Sequence, residues 1–361
     1  MSQFQIDRQQ FAHGRVVEDG LSAAPLATGA GRVRIERFAY SANNLTYAVT
    51  GEQLGYWGFF PPAGADAEGW GMTPTWGFGV VQSSNCAEVP VGERLFGFFP
   101  PATHVDLLPQ GVKPHALSDG SPHRAKLPPA YNRYSRVAAE PNHDPAQDNA
   151  RMLLTPLYLT GFAIAAWLSE QGDFGARRVL LLSASSKTSI GLAYALAARG
   201  DAPEIIGATS ARNLDFVSSL GLYAHTVNYD TLEGLDPSIP TVVVDMAGNS
   251  ELRARLRTHL GGALRRSVLV GMTHWTPGEK TDGTEPDSEF FFAPSHVQRL
   301  RQSWGEAKFA QRSGAFLLQS ITLSQRWLRF THVAGLDKLA ELHPAVCSGR
   351  VAPEQGLIVA P

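Results

Sequence analysis

Two short strings in this chain carry side chains whose types and spacing suit a phosphate. In Ser183-Ala-Ser-Ser-Lys-Thr-Ser-Ile-Gly191, hydroxyls at Ser185, Ser186 and Thr188 and the ammonium of Lys187 stand between an apolar run, 179–182, and an Ala/Leu-rich run ending at Gly200. A buried strand that turns into a helix presents unpaired N–H groups and the positive end of the helix dipole, which is where phosphates sit in open α/β sheets. The G-x-G-x-x-G spelling is absent, and only its last glycine, Gly191, remains. Hydroxyls still face a pyrophosphate, and Lys187 adds positive charge. By itself the string also suits an ordinary strand-to-helix turn.

The second string follows an apolar strand over 204–209. In a dinucleotide fold the end of the second strand meets the adenosine ribose: a carboxylate there favours NAD, an arginine accommodates the 2′-phosphate of NADP. No carboxylate occupies 208–213; Ser210 and Arg212 do stand there. Ser210 can donate to the phosphate, and Arg212 offers a planar charge-assisted contact. This favours NADPH. The alternative makes Ser210 a helix cap and Arg212 a solvated charge.

Other polar groups compete for a role in the chemistry. His274 and Trp275 follow a strand over 267–271, and ligands bind beyond the carboxyl ends of such strands. His274 would donate a proton or hold a substrate oxygen, with Trp275 walling the pocket; equally, His274 caps the loop and Trp275 packs a dimer contact. Tyr56, Trp57 and Trp70 form an aromatic group that suits an apolar ligand pocket or plain core. Arg124, Tyr131 and Tyr134 fall in a long Pro-, His- and Tyr-rich excursion over 114–145, which reads as a lid with an anion clamp or as a solvated loop.

The elements that must position these groups come in three parts. From about 30 to 140 short alternating stretches, 32–40, 76–83 and 93–99, are punctuated by Gly and Pro, as in a compact β domain. From 153 to about 273 strands and helices alternate in units of about 30 residues, the pattern of a parallel sheet with crossover helices. Strands are expected at 179–182, 204–209, 225–227, 240–245 and 267–271. Past 311 the pattern is mixed, with a last strand over 356–360.

Composition removes several function classes. The chain has 361 residues, enough for two domains, and 43% hydrophobic with 18% charged residues is globular. A formal net charge of −2 leaves no electrostatic footprint for nucleic acid or an anionic membrane. Two cysteines, Cys86 and Cys347, form neither a disulfide framework nor a C-x-x-C zinc pair. The N-terminus lacks the regions of a signal peptide, and no run of roughly 18 apolar residues is expected to cross a bilayer, which predicts a cytoplasmic protein.

A β domain, a nucleotide-binding domain and a short return resemble the medium-chain dehydrogenase/reductase superfamily. Particular residues carry the resemblance: Val33-Arg-Ile-Glu-Arg-Phe-Ala-Tyr-Ser-Ala-Asn-Asn44, and Trp76-Gly-Phe-Gly-Val-Val with Val91-Gly-Glu-Arg-Leu-Phe-Gly97, are similar to the opening strand and hairpin of its zinc-free quinone and enoyl reductases. Asn228-Tyr229 resembles the end of their third strand, and Val270-Gly271 the strand end beneath the nicotinamide. Ser41-Ala-Asn-Asn-Leu-Thr-Tyr47, Ser183-Ala-Ser-Ser-Lys-Thr188, Asp245-Met-Ala-Gly-Asn249 and Gly271-Met-Thr-His-Trp275 resemble a branch carrying a domain-of-unknown-function label. The resemblance implies an α/β chain: a GroES-like β-barrel substrate domain over 1–150, completed by 312–361, and a Rossmann doubly wound parallel sheet over 151–311. It implies a cofactor site that includes Tyr229, Gly271 and Thr273, and a small-molecule substrate; a homodimer is expected.

The departures are equally informative. Asn43-Asn44 stands near where the first catalytic zinc ligand of the alcohol dehydrogenases falls, and no four-cysteine lobe follows, so no metal is expected. Polarisation of a carbonyl then falls to hydrogen-bond donors. Leu45 replaces the tyrosine that often follows the asparagine; Tyr47 projects to the same side if the segment is extended, and is the replacement proton donor. Asn44 would orient substrate or nicotinamide ribose. The function expected is NADPH-dependent, zinc-independent hydride transfer to an activated C=C or carbonyl. An NADPH-binding protein without turnover, or a lyase or hydratase with structural cofactor, are the alternatives.

Overall fold

The computed structural model describes residues 1–64, 66–141, 143–246, 248–270 and 287–361, and the chain in it divides into two units. The first unit, Met1–Leu153 with Arg329–Pro361, is strand-rich. In chain order it holds β1 (Ser2–Asp7), β2 (Gly14–Glu18), β3 (Gly31–Tyr40), helix α1 (Ala42–Val49), β4 (Trp70–Gly71), β5 (Thr75–Ser84), β6 (Arg94–Phe99), β7 (His104–Leu107), β8 (Pro109–Lys113), β9 (Ala116–Asp119) and β10 (Arg133–Arg136). Helix α2 (Asp148–Glu170) begins in this unit and continues into the second.

The second unit, Leu154–Leu328, alternates strand and helix: β11 (Arg178–Leu182), α3 (Lys187–Ala197), β12 (Glu204–Thr209), α4 (Leu214–Ser219), β13 (His225–Asn228), β14 (Thr241–Asp245), α5 (Ser250–Leu260), β15 (Leu264–Leu269), β16 (Ser288–Phe290), α6 (Ala293–Trp304) and α7 (Glu306–Ser324). The chain then returns to the first unit through β17 (Arg329–Ala334), α8 (Leu336–Cys347) and β18 (Gln355–Ala360).

In the first unit the main sheet runs β17-β18-β3-β5-β6-β10-β9-β8, with β7 also paired to β3, and β1 pairs antiparallel with β2 and β4 in a small second sheet. The alternation in β3 is what such a sheet needs: Val33 and Ile35 enter a core with Phe4, Phe38, Leu95, Phe99, Tyr134 and Leu357. The excursion over 114–145 differs from expectation. It contains β9, β10 and three short 3-10 turns, anchored by a few buried side chains, among them Leu117, Asp119, Arg124, Tyr134 and Val137, while many of the residues between them are exposed.

The sheet of the second unit runs β13-β12-β11-β14-β15-β16, and every neighbouring pair is parallel. That is the 3-2-1-4-5-6 order of the doubly wound dinucleotide fold, with its topological switch point between β11 and β14. All residues of β11 and β14 are buried, as continuous apolar strands covered on both faces must be. This unit extends to Leu328, past the return expected at 312, since Phe309 and Phe316 of α7 pack edge-on and tilted against Phe162 of α2. Pro145–Glu170 is long and apolar enough to cross a membrane, contrary to the reading of the sequence, and 61% of its apolar window is buried inside the protein. One such mostly buried helix is weak evidence for a membrane span.

Candidate functional site

The turn between β11 and α3 lies at the switch point of the parallel sheet. Ser183, its first residue, takes φ +54, one of three non-glycine residues with positive φ among the described residues. Hydrogen bonds fix it there: its N–H donates to the Tyr229 hydroxyl at 2.8 Å, and its carbonyl accepts the Ser186 N–H at 2.7 Å. The next residue is held from the other side, its carbonyl accepting the Tyr223 hydroxyl at 2.8 Å and its N–H donating to Ala208 at 3.0 Å. Ser186 caps α3, its Oγ accepting the Ser189 N–H at 3.2 Å. Lys187 and Thr188 form the first turn of α3, where the main-chain N–H groups have no intrahelical acceptor.

The end of β12 adjoins this turn. Ser185 Oγ accepts from Asn213 Nδ2 at 3.1 Å and from Thr209 Oγ1 at 3.4 Å. Ser210 heads a 3-10 turn, Ala211–Asn213, without a side-chain cap bond, so the capping alternative for Ser210 is set aside; Arg212 is exposed. Ser185, Ser186, Lys187, Thr188, Tyr229 and the β12 end with Ser210 and Arg212 are therefore gathered at one sheet edge. Asp245, the acid at the end of β14, is fully buried and paired with Arg253 at 2.7 Å. The result is an edge lined by hydroxyls and cations that suits a polyphosphate.

Gly191 has a different role from the one expected. It is buried, and a Cβ there would lie 2.5 Å from the Tyr158 ring, so it lets α3 pack on α2 and does not line the edge. Gly271, Thr273, His274 and Trp275 lie outside the described residues.

In the first unit the expected catalytic and pocket residues form two groups. Asn44 is 4% exposed and both ends of its amide are used: Oδ1 accepts the Ser41 N–H at 2.9 Å in a capping box that starts α1, and Nδ2 donates to Pro74 O at 2.8 Å. The segment is helical, so the extended geometry on which the placing of Tyr47 was conditional does not hold; Ser41 and Asn44 satisfy the first turn. Tyr47 therefore reaches its place from a helix and lies 5% exposed in an aromatic group with Tyr56, Phe59, Phe98 and Tyr131. Its ring is 4.5 Å from that of Tyr56, whose hydroxyl meets the Tyr131 hydroxyl at 3.0 Å. Burial pushes the phenols of Tyr47, Tyr56 and Tyr131 up, so all three stay protonated near neutrality.

The second group corrects the sequence reading. Arg124 is 1% exposed, paired with the equally buried Asp119 at 3.1 Å, and donates to Phe59 O and to the Tyr134 hydroxyl. Tyr134 in turn donates to Phe98 O at 2.6 Å. An arginine so enclosed is neither a lid residue nor an anion clamp; it ties the 114–145 excursion into the sheet. Trp57 is likewise structural, since Cβ atoms on the neighbouring backbone of residues 51 and 71, both glycines, would collide with its ring. Sequence reasoning missed Tyr223, Thr209 and Asn213. Only their places beside strand ends hinted at them.

The family described as "Protein of unknown function (DUF2855)" matches residues 38–352. No curated protein matches the chain in sequence. Among solved structures, CurA from Vibrio vulnificus in complex with NADPH is similar at 12% identity over 100% of this chain and 99% of that one, with TM-score 0.65. A quinone oxidoreductase of Pseudomonas syringae pv. tomato is similar at 16% identity over 99% of both chains, TM-score 0.56. JamJ enoyl reductase is similar at 12% identity over 99% and 98%, TM-score 0.57. At such identities the likeness is one of fold: a GroES-like strand-rich domain and a Rossmann domain.

Proposed function

We propose, for a chain that belongs to the DUF2855 family and has the medium-chain dehydrogenase/reductase fold, an NADPH-dependent, zinc-independent reductase of an activated C=C or carbonyl in a small organic substrate. The observation that carries this reading is the glycine-poor turn at the switch point of the β11–β14 sheet, beside a β12 end that offers Ser210 and Arg212 and no carboxylate. CurA, described as a complex with NADPH, supports the choice of cofactor by likeness of fold.

Bound at this edge, NADPH would supply the hydride. Ser185, Ser186, Lys187 and Thr188 hold the diphosphate by hydroxyl, ammonium and main-chain donors, and Arg212 with Ser210 holds the 2′-phosphate. Delivery of hydride to an enone leaves an enolate, and delivery to a carbonyl an alkoxide, so a proton donor is required. Tyr47, a protonated phenol on α1, and His274 are the proposed donors. Zinc is not needed in this scheme, and protein purified without added metal should hold less than one equivalent by elemental analysis.

A fluorescence titration with NADPH and NADH, followed by an oxidation screen over enones, quinones and aldehydes, tests the reading. Tighter binding of NADPH and turnover of one substrate class are expected; equal or absent binding of both dinucleotides overturns it. One observation favours a second reading, an NADPH-binding protein without turnover: the amide of Asn44 is hydrogen-bonded to its own unit at both ends and Tyr47 is closed within aromatic rings. NADPH binding with no substrate reduced would select it.

A further inference from the structure

Resting on that reading of the second unit, we infer that Asn213 and Tyr229 are positioning residues that turn a glycine-poor loop into a hydroxyl-based donor site for the diphosphate of a nucleotide. The argument begins at Ser185. A hydroxyl oxygen has two acceptor positions and one proton. Both acceptor positions of Ser185 are filled, by Asn213 Nδ2 at 3.1 Å and Thr209 Oγ1 at 3.4 Å. The Ser185 proton is therefore directed away from the β12 end, toward whatever acceptor lies at the sheet edge. Ser186 is similar, with one acceptor position taken by the Ser189 N–H and its proton left to donate. Two adjacent hydroxyls set as donors beside the ammonium of Lys187 match an oxyanion with several oxygens.

Tyr229 sets the backbone beneath them. In a G-x-G-x-x-G turn glycines supply the unusual backbone conformation and let the main chain approach the pyrophosphate. Here Ser183 adopts φ +54 without being glycine, and its N–H is taken by the Tyr229 phenol at 2.8 Å. A main-chain donor is thereby used internally, and recognition passes to the side chains of Ser185 and Ser186. Asn213 closes the same 3-10 turn that carries Arg212, so the residue that orients Ser185 and the one assigned to the 2′-phosphate share one short element.

The test is binding of NADPH and of ADP, by calorimetry, to wild type, Ser185→Ala, Asn213→Ala, the double variant and Tyr229→Phe, with melting curves to establish that each is folded. Ser185→Ala should weaken both ligands about tenfold, the scale of one hydrogen bond to a charged group. Asn213→Ala should weaken them about three- to tenfold, and the double variant no more than Ser185→Ala alone, because Asn213 acts through Ser185. Tyr229→Phe should weaken both, and adding Ser183→Gly should restore most of the loss, since glycine takes the positive φ unaided. Multiplicative losses in the double variant, or unchanged affinity in Asn213→Ala, overturn the inference while leaving the reductase reading standing. ADP binding that depends on Ser185 and Asn213, without NADPH binding, supports the inference and overturns the reductase reading. Binding of neither ligand to wild type overturns both.

Discussion

Gly207 and Tyr223 are fitted to each other: a Cβ at position 207 would lie 2.8 Å from Tyr223 Cγ and 3.1 Å from the Cβ of Ala184. The bare backbone of β12 lets the Tyr223 ring lie against the strand, and from there its hydroxyl reaches the Ala184 carbonyl at 2.8 Å. The turn lacks its usual glycines, but a glycine one strand away makes room for the side chain that holds it.

Gly207→Ala should therefore destabilise the protein by about 1–3 kcal/mol, the range for overpacking a filled interior. Urea denaturation measures it, with Gly262→Ala as control, since a Cβ there meets nothing within 4 Å. A midpoint equal to that of the control would mean that Tyr223 swings aside freely.

Arg212→Ala should weaken NADPH by about 1–3 kcal/mol, the scale of a charge-assisted hydrogen bond, and leave NADH nearly unchanged. Titration of both cofactors decides this. Equal loss for the two would move the 2′-phosphate contact to another residue.

Arg124→Met removes the cation from a buried pair and leaves the Asp119 carboxylate enclosed, its Oδ1 still held by the Leu108 and Ser121 N–H groups. A loss of about 3–5 kcal/mol is expected for breaking one partner of such a pair, read as a shifted denaturation midpoint. Retained stability with lost substrate binding would restore the anion-clamp role.

His296 gives the protein an acid-sensitive contact. Its ring stacks on Phe291 at 3.8 Å, and Nδ1 accepts from Arg299 at 2.8 Å. Burial, and then the neighbouring Arg299, push its pKa down from 6.5 to about 4. The folded state thus holds the ring neutral while the unfolded chain takes up a proton, so this contribution to stability is complete above pH 6.5 and is lost as pH falls from there toward 4. His296→Phe should lose less melting temperature than wild type between pH 7 and pH 4.5. Parallel losses would place the acid sensitivity elsewhere, for example at His343, which is also buried and whose pKa burial pushes down.

Tyr47→Phe should lower single-turnover hydride transfer by about 10²–10⁴-fold, the usual worth of general acid catalysis, with NADPH affinity kept. Unchanged transfer would pass the proton to another donor.

The sequence by itself determined the alternation of strand and helix from β11 to β15 in the second unit. Continuous apolar runs at β11, β12 and β14, separated by helical periods, can only be strands covered on both faces, and their spacing dictates parallel crossovers. The placing of Ser185, Ser186, Ser210 and Arg212 at strand ends was legible for the same reason, since strand ends are local features. Tertiary structure decided which side chains are spoken for. Arg124 and Tyr134 read as surface groups until Asp119 and the Phe98 carbonyl meet them across the sheet. Whether the segment of Tyr47 is extended is left open by the sequence until Ser41 and Asn44 close a capping box. Gly191 reads as a phosphate glycine until Tyr158 of α2 packs against it. In each case the partner is remote in sequence or the choice rests on a hydrogen bond, and neither leaves a periodic trace in the order of residues.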